Sequence, residues 1–129
     1  MNFGVTWYEI PVTDMNRAVE FYSNLFGMQI DVSDFGELKM ALMPYYENQI
    51  GISGALVENK EFYHSDNQKG PLLYFETDNV KQTLDKATAL GGTTVIEEKL
   101  ISPEHGYMGV FLDTEGNRIA LHAKPEEKE

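Results

Sequence analysis

Few residues in this 129-residue chain have side chains suited to chemistry. There is no cysteine, and the 3 histidines (His64, His105 and His122) are not spaced to pair two ligands on one strand or helix. Disulfide frameworks, thiol nucleophiles and thiolate metal sites are therefore excluded. What draws notice is a carboxylate. In "WYEIPVTDMNRAVEFYSNLFGM", Trp7–Met28, the residues Tyr8, Ile10 and Val12 alternate like the buried face of a strand. Glu9 stands among them with no basic residue close in sequence. In a lined cavity such a group suits a general base or a hydrogen-bond acceptor for a ligand. On a wet sheet face it is an ordinary solvated side chain.

The elements that must position Glu9 come in two copies. Laying Trp7–Met28 over Leu72–Thr93, "LLYFETDNVKQTLDKATALGGT", needs no gap, and Gly27 falls on Gly92, a constant offset of 65. Each copy opens with a short strand and passes through Asp14 or Asn79. Both are good N-caps, because their side-chain oxygens accept from the first free N–H groups of a helix. Met15, Ala18, Val19, Tyr22, Leu25 and Phe26 then recur at helical spacing, as do Val80, Leu84, Ala87 and Leu90. Gly27 and Gly91-Gly92 end the helices. Three strand-like runs follow each helix: Gln29–Val32, Glu37–Met43 and Gly51–Val57, then Thr93–Leu100, Tyr107–Leu112 and Arg118–His122. The turn "DTEGNR" joins the last two through Gly116-Asn117. The pattern predicts an α+β fold of two βαβββ modules, about 1–57 and 71–123. A polar linker at about 58–70 joins them, and an acidic tail, 124–129, follows.

Composition bounds the partners. Hydrophobic residues make up 42% and charged residues 24%, as in a folded domain able to bury one core. A net charge of −11 repels phosphate backbones, which disfavours nucleic acid, and none is expected as a partner. No run reaches the roughly 18 apolar residues of a membrane span. The opening "MNFGVTWYEI" lacks the basic segment and cleavage site of a secretory signal and reads as the start of the fold, which points to the cytoplasm.

The pattern I-P-V-x-D-x-x-x-A-x-x-F-Y-x-x-x-x-G, with the later D-x-x-G-N-R-I, resembles the vicinal oxygen chelate superfamily over Val5 to about His122. That group spans glyoxalase I, extradiol dioxygenases, and bleomycin- and fosfomycin-resistance proteins. The resemblance implies two curled mixed sheets around a central cavity, helices outside, and commonly a homodimer. Members that use a metal take a ligand from the first strand of each module, seven residues before the helix cap, and a Glu from each last strand. Counting back from Asp14 and Asn79 lands on Trp7 and Leu72. Ala120 occupies the last-strand position, and the first half offers Ser53 or Ala55. None of these is a metal ligand, so the resemblance implies that the usual metal site is absent.

If Trp7 keeps the cavity-facing slot, strand alternation turns Trp7, Glu9, Leu72, Tyr74, Glu76, Arg118, Ala120 and His122 inward. Aromatic walls with a few polar groups suit a small-molecule pocket. The ligand-binding set is then Trp7, Glu9, Tyr74, Glu76, Arg118 and His122, with Glu9 the candidate catalytic residue. Structural alternatives stand beside these: Trp7 and Tyr74 as plain packing, Arg118 orienting its hairpin, and His122 as a satisfied or exposed strand-end residue. Two functions follow. One is a metal-independent protein that sequesters or senses a small aromatic or cationic ligand, with no cofactor. The other is a lyase- or dioxygenase-type enzyme that uses Glu9 as base or a non-standard divalent metal site.

Overall fold

A computed structural model describes residues 3–44, 48 and 51–126. The chain divides into two compact units, Met1–Ser65 and Asp66–Glu129. The first contains β1 (Tyr8–Pro11), α1 (Met15–Phe26), β2 (Val32–Asp34), β3 (Lys39–Leu42) and β4 (Gly54–Glu58). The second contains β5 (Tyr74–Glu76), α2 (Val80–Ala89), β6 (Thr93–Ser102), β7 (Gly106–Leu112) and β8 (Arg118–Ala123). The strand orders are β1-β4-β3-β2 and β5-β8-β7-β6, so the two units share one topology. In each, the first strand pairs in parallel with the last, and the remaining pairs are antiparallel. Both sheets are thus mixed and open, and the α+β expectation holds. Among the described residues no helix is long and apolar enough to cross a membrane.

Helix starts follow from capping chemistry. The side chain of Asp14 accepts the Arg17 N–H at 3.1 Å, and that of Asn79 accepts the Gln82 N–H at 3.0 Å. Both caps have extended backbones. At the far end Gly27 adopts φ 64°, a left-handed conformation that costs glycine little. The buried stripe of α1 is Met15, Ala18, Phe21, Tyr22 and Leu25. Phe21 belongs to it, whereas Val19 and Phe26 lie at its half-buried margin. The stripe covers the sheet face formed by Ile10, Leu56 and Ala41, which are aligned across β1, β4 and β3.

Strand limits depart from the periodicity in the first unit. The strand expected at Gln29–Val32 begins only at Val32, because β3 offers partners to Val32, Ser33 and Asp34 alone. Before it, Gln29 and Asp31 hydrogen-bond each other's side chains. The strand expected at Gly51–Val57 runs Gly54–Glu58, and Ser53 instead turns its hydroxyl to the Met43 carbonyl. Residue 54 has to be glycine. A Cβ there would lie 2.4 Å from the Tyr8 carbonyl oxygen and 2.5 Å from two atoms of its ring. The Tyr8 ring therefore lies against bare backbone, and burial pushes its hydroxyl pKa up to about 12. In the second unit β6 runs on to Ser102, with irregular register against β7.

Candidate functional site

The period-two pattern of β1 sorts its residues as expected. Ile10 and Val12 are buried, Trp7 is 42% exposed, and Glu9 lies on the exposed side. Glu9 is not a bare carboxylate. One oxygen accepts the Tyr63 hydroxyl at 2.6 Å, and the other accepts the indole N–H of Trp7 at 3.3 Å. The Glu9 charge keeps the Tyr63 proton in place, raising that phenol's pKa mainly through the hydrogen bond itself. An ionised carboxylate has about four lone-pair sites. Among the described residues two of these sites are taken, one on each oxygen, which leaves a lone pair on each for a further donor.

Tyr63 belongs to the polar run at about 58–70, whose composition predicts a linker rather than a site. Asn59 brings it into position. The Asn59 carbonyl accepts the Tyr63 N–H at 3.0 Å, and its side chain accepts the Glu61 N–H at 3.0 Å. The resulting turn returns the chain leaving β4 toward β1, its parallel neighbour. The one available signal was an aromatic pair, Phe62-Tyr63, set in an otherwise polar run. Tyr63 also borders a groove of about 310 Å³ that includes Val12, Thr13 and Glu58. Glu58 is engaged there, accepting the Met15 N–H at 2.8 Å and lying 3.7 Å from the Lys39 ammonium.

In the second unit Tyr74 and Glu76 share a face of β5, and β8 sets Ala120 beside Tyr74 and His122 beside Glu76. Tyr74 is 55% exposed. The His122 ring lies between acceptors: Nδ1 is 3.2 Å from both Glu76 oxygens, and Nε2 is 2.6 Å from the His105 carbonyl oxygen. Neither an ionised carboxylate nor a carbonyl can donate, so this placement favours the doubly protonated imidazolium form of the ring. The His105 carbonyl first, then Glu76, raises the ring's pKa above its usual 6.5. Arg118 is separate from this pair. Its guanidinium donates to the Gly70 carbonyl at 2.7 Å, and its Nε is buried with no partner among the described residues. The hairpin before it is held by Asp113, which accepts from the backbone N–H groups of Glu115 and Asn117, both at 2.8 Å.

Strand pairing resolves which residue of the first half matches Ala120. Glu9 pairs with Ala55 as Tyr74 pairs with Ala120, and both pairs keep the offset of 65. The position is Ala55, so the four slots that the resemblance assigns to metal ligands carry Trp7, Ala55, Leu72 and Ala120. An indole N–H donates and has no lone pair for an ion, and the other three side chains are hydrocarbon. Ala55 and Ala120 are fully buried, and Leu72 packs against the apolar cluster of Met108, Val110 and Ala120. Among the described residues no three His, Asp or Glu side chains converge as metal ligands. This donor set does not fit the metal site that the resemblance implies for members using a divalent ion.

A family profile for the Glyoxalase/Bleomycin resistance protein/Dioxygenase superfamily matches residues 4–121. A glyoxylase-like domain-containing protein of Didymella fabae is 28% identical over 124 residues, covering 94% of each chain. Among solved structures, glyoxalase I from Zea mays superposes with a TM-score of 0.72 at 17% identity over 93% of this chain. This chain spans 44% of that maize protein. A genomically encoded fosfomycin resistance protein from Listeria monocytogenes gives 0.67 at 19% identity, covering 100% of this chain and 97% of its own. At such identities the structures share a fold. With the profile match spanning nearly its whole length, the chain belongs to the Glyoxalase/Bleomycin resistance protein/Dioxygenase superfamily.

Proposed function

We propose that this protein binds a small cationic, partly aromatic molecule without a metal ion or other cofactor, and so sequesters or senses it. The observation that carries the reading is the Glu9 carboxylate, held by Tyr63 and Trp7 on the exposed side of β1 with lone pairs to spare. A fixed carboxylate beside an open aromatic ring attracts a cation by charge and by the ring quadrupole. The quadrupole contributes about 0.5–1 kcal/mol at exposed sites. The second unit repeats the combination with Glu76 and Tyr74. The proposal includes a homodimer and a cytoplasmic setting, which sedimentation and cell fractionation test.

The competing reading is a lyase- or dioxygenase-type enzyme with Glu9 as base, and one variant separates the two. Glu9→Gln keeps the shape and removes the charge. Titration calorimetry with benzyltrimethylammonium should then show weakened binding, and protein purified without chelator should hold no stoichiometric divalent metal. A tightly held metal, or turnover of a small oxygenated substrate that Glu9→Gln abolishes while binding persists, would reject the binding-protein reading.

A further inference from the structure

His122 is built as an internal counter-ion for one of the two acid–aromatic combinations. It lies on β8 directly beside Glu76, and its ring spans from that carboxylate to the turn between β6 and β7. The turn is firmly made: the Ser102 hydroxyl meets His105 Nδ1 at 2.8 Å, and the His105 N–H donates back to that hydroxyl at 3.0 Å. A Cβ on Gly106 would meet the Ala123 carbonyl oxygen at 2.1 Å, so the turn sits tight against the end of β8. The His105 carbonyl is therefore a fixed acceptor, and it makes the shorter of the ring's contacts.

Loss of one proton then has a defined consequence. A neutral imidazole keeps a single N–H. At 2.6 Å the His105 carbonyl retains it at Nε2, leaving the bare lone pair of Nδ1 facing the Glu76 carboxylate. Two acceptors repel, and that contact opens. Among the described residues, the charged side chains that act on the ring are Glu76 and Lys124. Glu76 comes from β5, Lys124 follows β8, and Glu104 and His105 lie in the turn. Met108 is its uncharged partner on β7, and Lys99 lies one strand further out on β6.

We propose that His122 is a proton-controlled gate on the cation-binding face of the second unit. As an imidazolium it occupies Glu76, and on deprotonation it releases that carboxylate, beside Tyr74, to a cationic ligand. This rests on the ligand reading above and adds its regulation. Thermodynamic reciprocity requires that a cation bound at Glu76 make His122 easier to deprotonate.

The test uses the whole chain, with long-range proton–nitrogen NMR of the histidine rings from pH 5 to 9, with and without saturating benzyltrimethylammonium. Expected are two protonated ring nitrogens at the acid end, an Nε2–H tautomer at the alkaline end, and a midpoint above 6.5 that falls when the probe is added. Calorimetry across the same range should show probe affinity rising roughly two- to five-fold, the scale of one exposed ion pair. In Glu76→Gln the midpoint should drop and the probe should no longer move it. His122→Gln, which keeps a donor without a charge, should make affinity independent of pH. A probe that binds while the His122 midpoint stays fixed would overturn the gate alone. No binding at any pH would overturn the ligand reading and the gate with it.

Discussion

Replacing Gly54 with alanine drives a methyl group into the joint between β1 and β4. The added carbon would stand 2.4 Å from the Tyr8 carbonyl oxygen and 2.5 Å from its Cδ1 and Cε1. Turning the ring aside relieves two of these contacts, but the carbonyl belongs to a strand locked in a parallel ladder with β4. β4 is itself central, with Ala55, Leu56 and Val57 fully buried. Overpacking of this kind costs about 1–3 kcal/mol and occasionally more, and a clash with backbone belongs at the upper end. For a domain near this size about 3 kcal/mol corresponds to a drop in Tm of roughly 10 °C. Gly36→Ala is the control: φ is +88° with nothing within 4 Å, so only the left-handed backbone cost of about 1–2 kcal/mol applies. Thermal melts followed by circular dichroism, with urea titration beside them, read both variants. A displaced Tyr8 should also disturb its neighbour Trp7, changing indole fluorescence in Gly54→Ala alone. A Gly54→Ala protein melting within about 2 °C of the parent, on the scale of an ordinary surface substitution, would refute the packing argument.

Asp14→Ala and Asn79→Ala each remove an N-cap and should cost about 1 kcal/mol in urea unfolding, with nearly additive effects because they cap different helices. Burial raises the Tyr8 pKa to about 12, above an unfolded value of 10.0, so its contribution to stability is complete below pH 10 and lost as pH rises from there through 12. Tyr8→Phe should flatten that alkaline fall in the unfolding free energy. The His122 shift has the same sign at lower pH. Its stabilisation is full below 6.5 and disappears as pH rises through the folded-state value, and Glu76→Gln should reduce the slope. Tyr63→Phe removes the hydroxyl on Glu9 yet leaves the fold intact; cation affinity should change while Tm moves by less than about 3 °C, since the bond is exposed.

Much of the architecture was legible because its determinants are local. Asp14 and Asn79 announce helices by capping chemistry that acts over three residues, and α1 and α2 begin at Met15 and Val80, 65 residues apart as the repeat requires. The burial of Ile10 and Val12 was readable from alternation alone, whereas alternation left Glu9 between a lined cavity and a wet sheet face. Strand limits were less so. The pattern at Gln29–Val32 is sound as hydrophobicity, but a strand exists only where a neighbour supplies hydrogen bonds, and β3 supplies them from Val32 onward.

Sequence by itself determined the helices and their caps, the doubled topology, and the absence of thiol chemistry, since each depends on residue type and short spacing. Tertiary structure decided the rest. It selected Ala55 over Ser53 as the counterpart of Ala120, because the register of a parallel pair depends on how two distant segments align. It brought Tyr63 to Glu9 across 54 positions, and set His122 between Glu76 and the His105 carbonyl across 46 and 17. Such contacts form only when the whole sheet has closed up, and no spacing rule along the chain encodes them. The environments of Glu9 and Glu76 differ for that reason, one held by a phenol and an indole and the other by an imidazole.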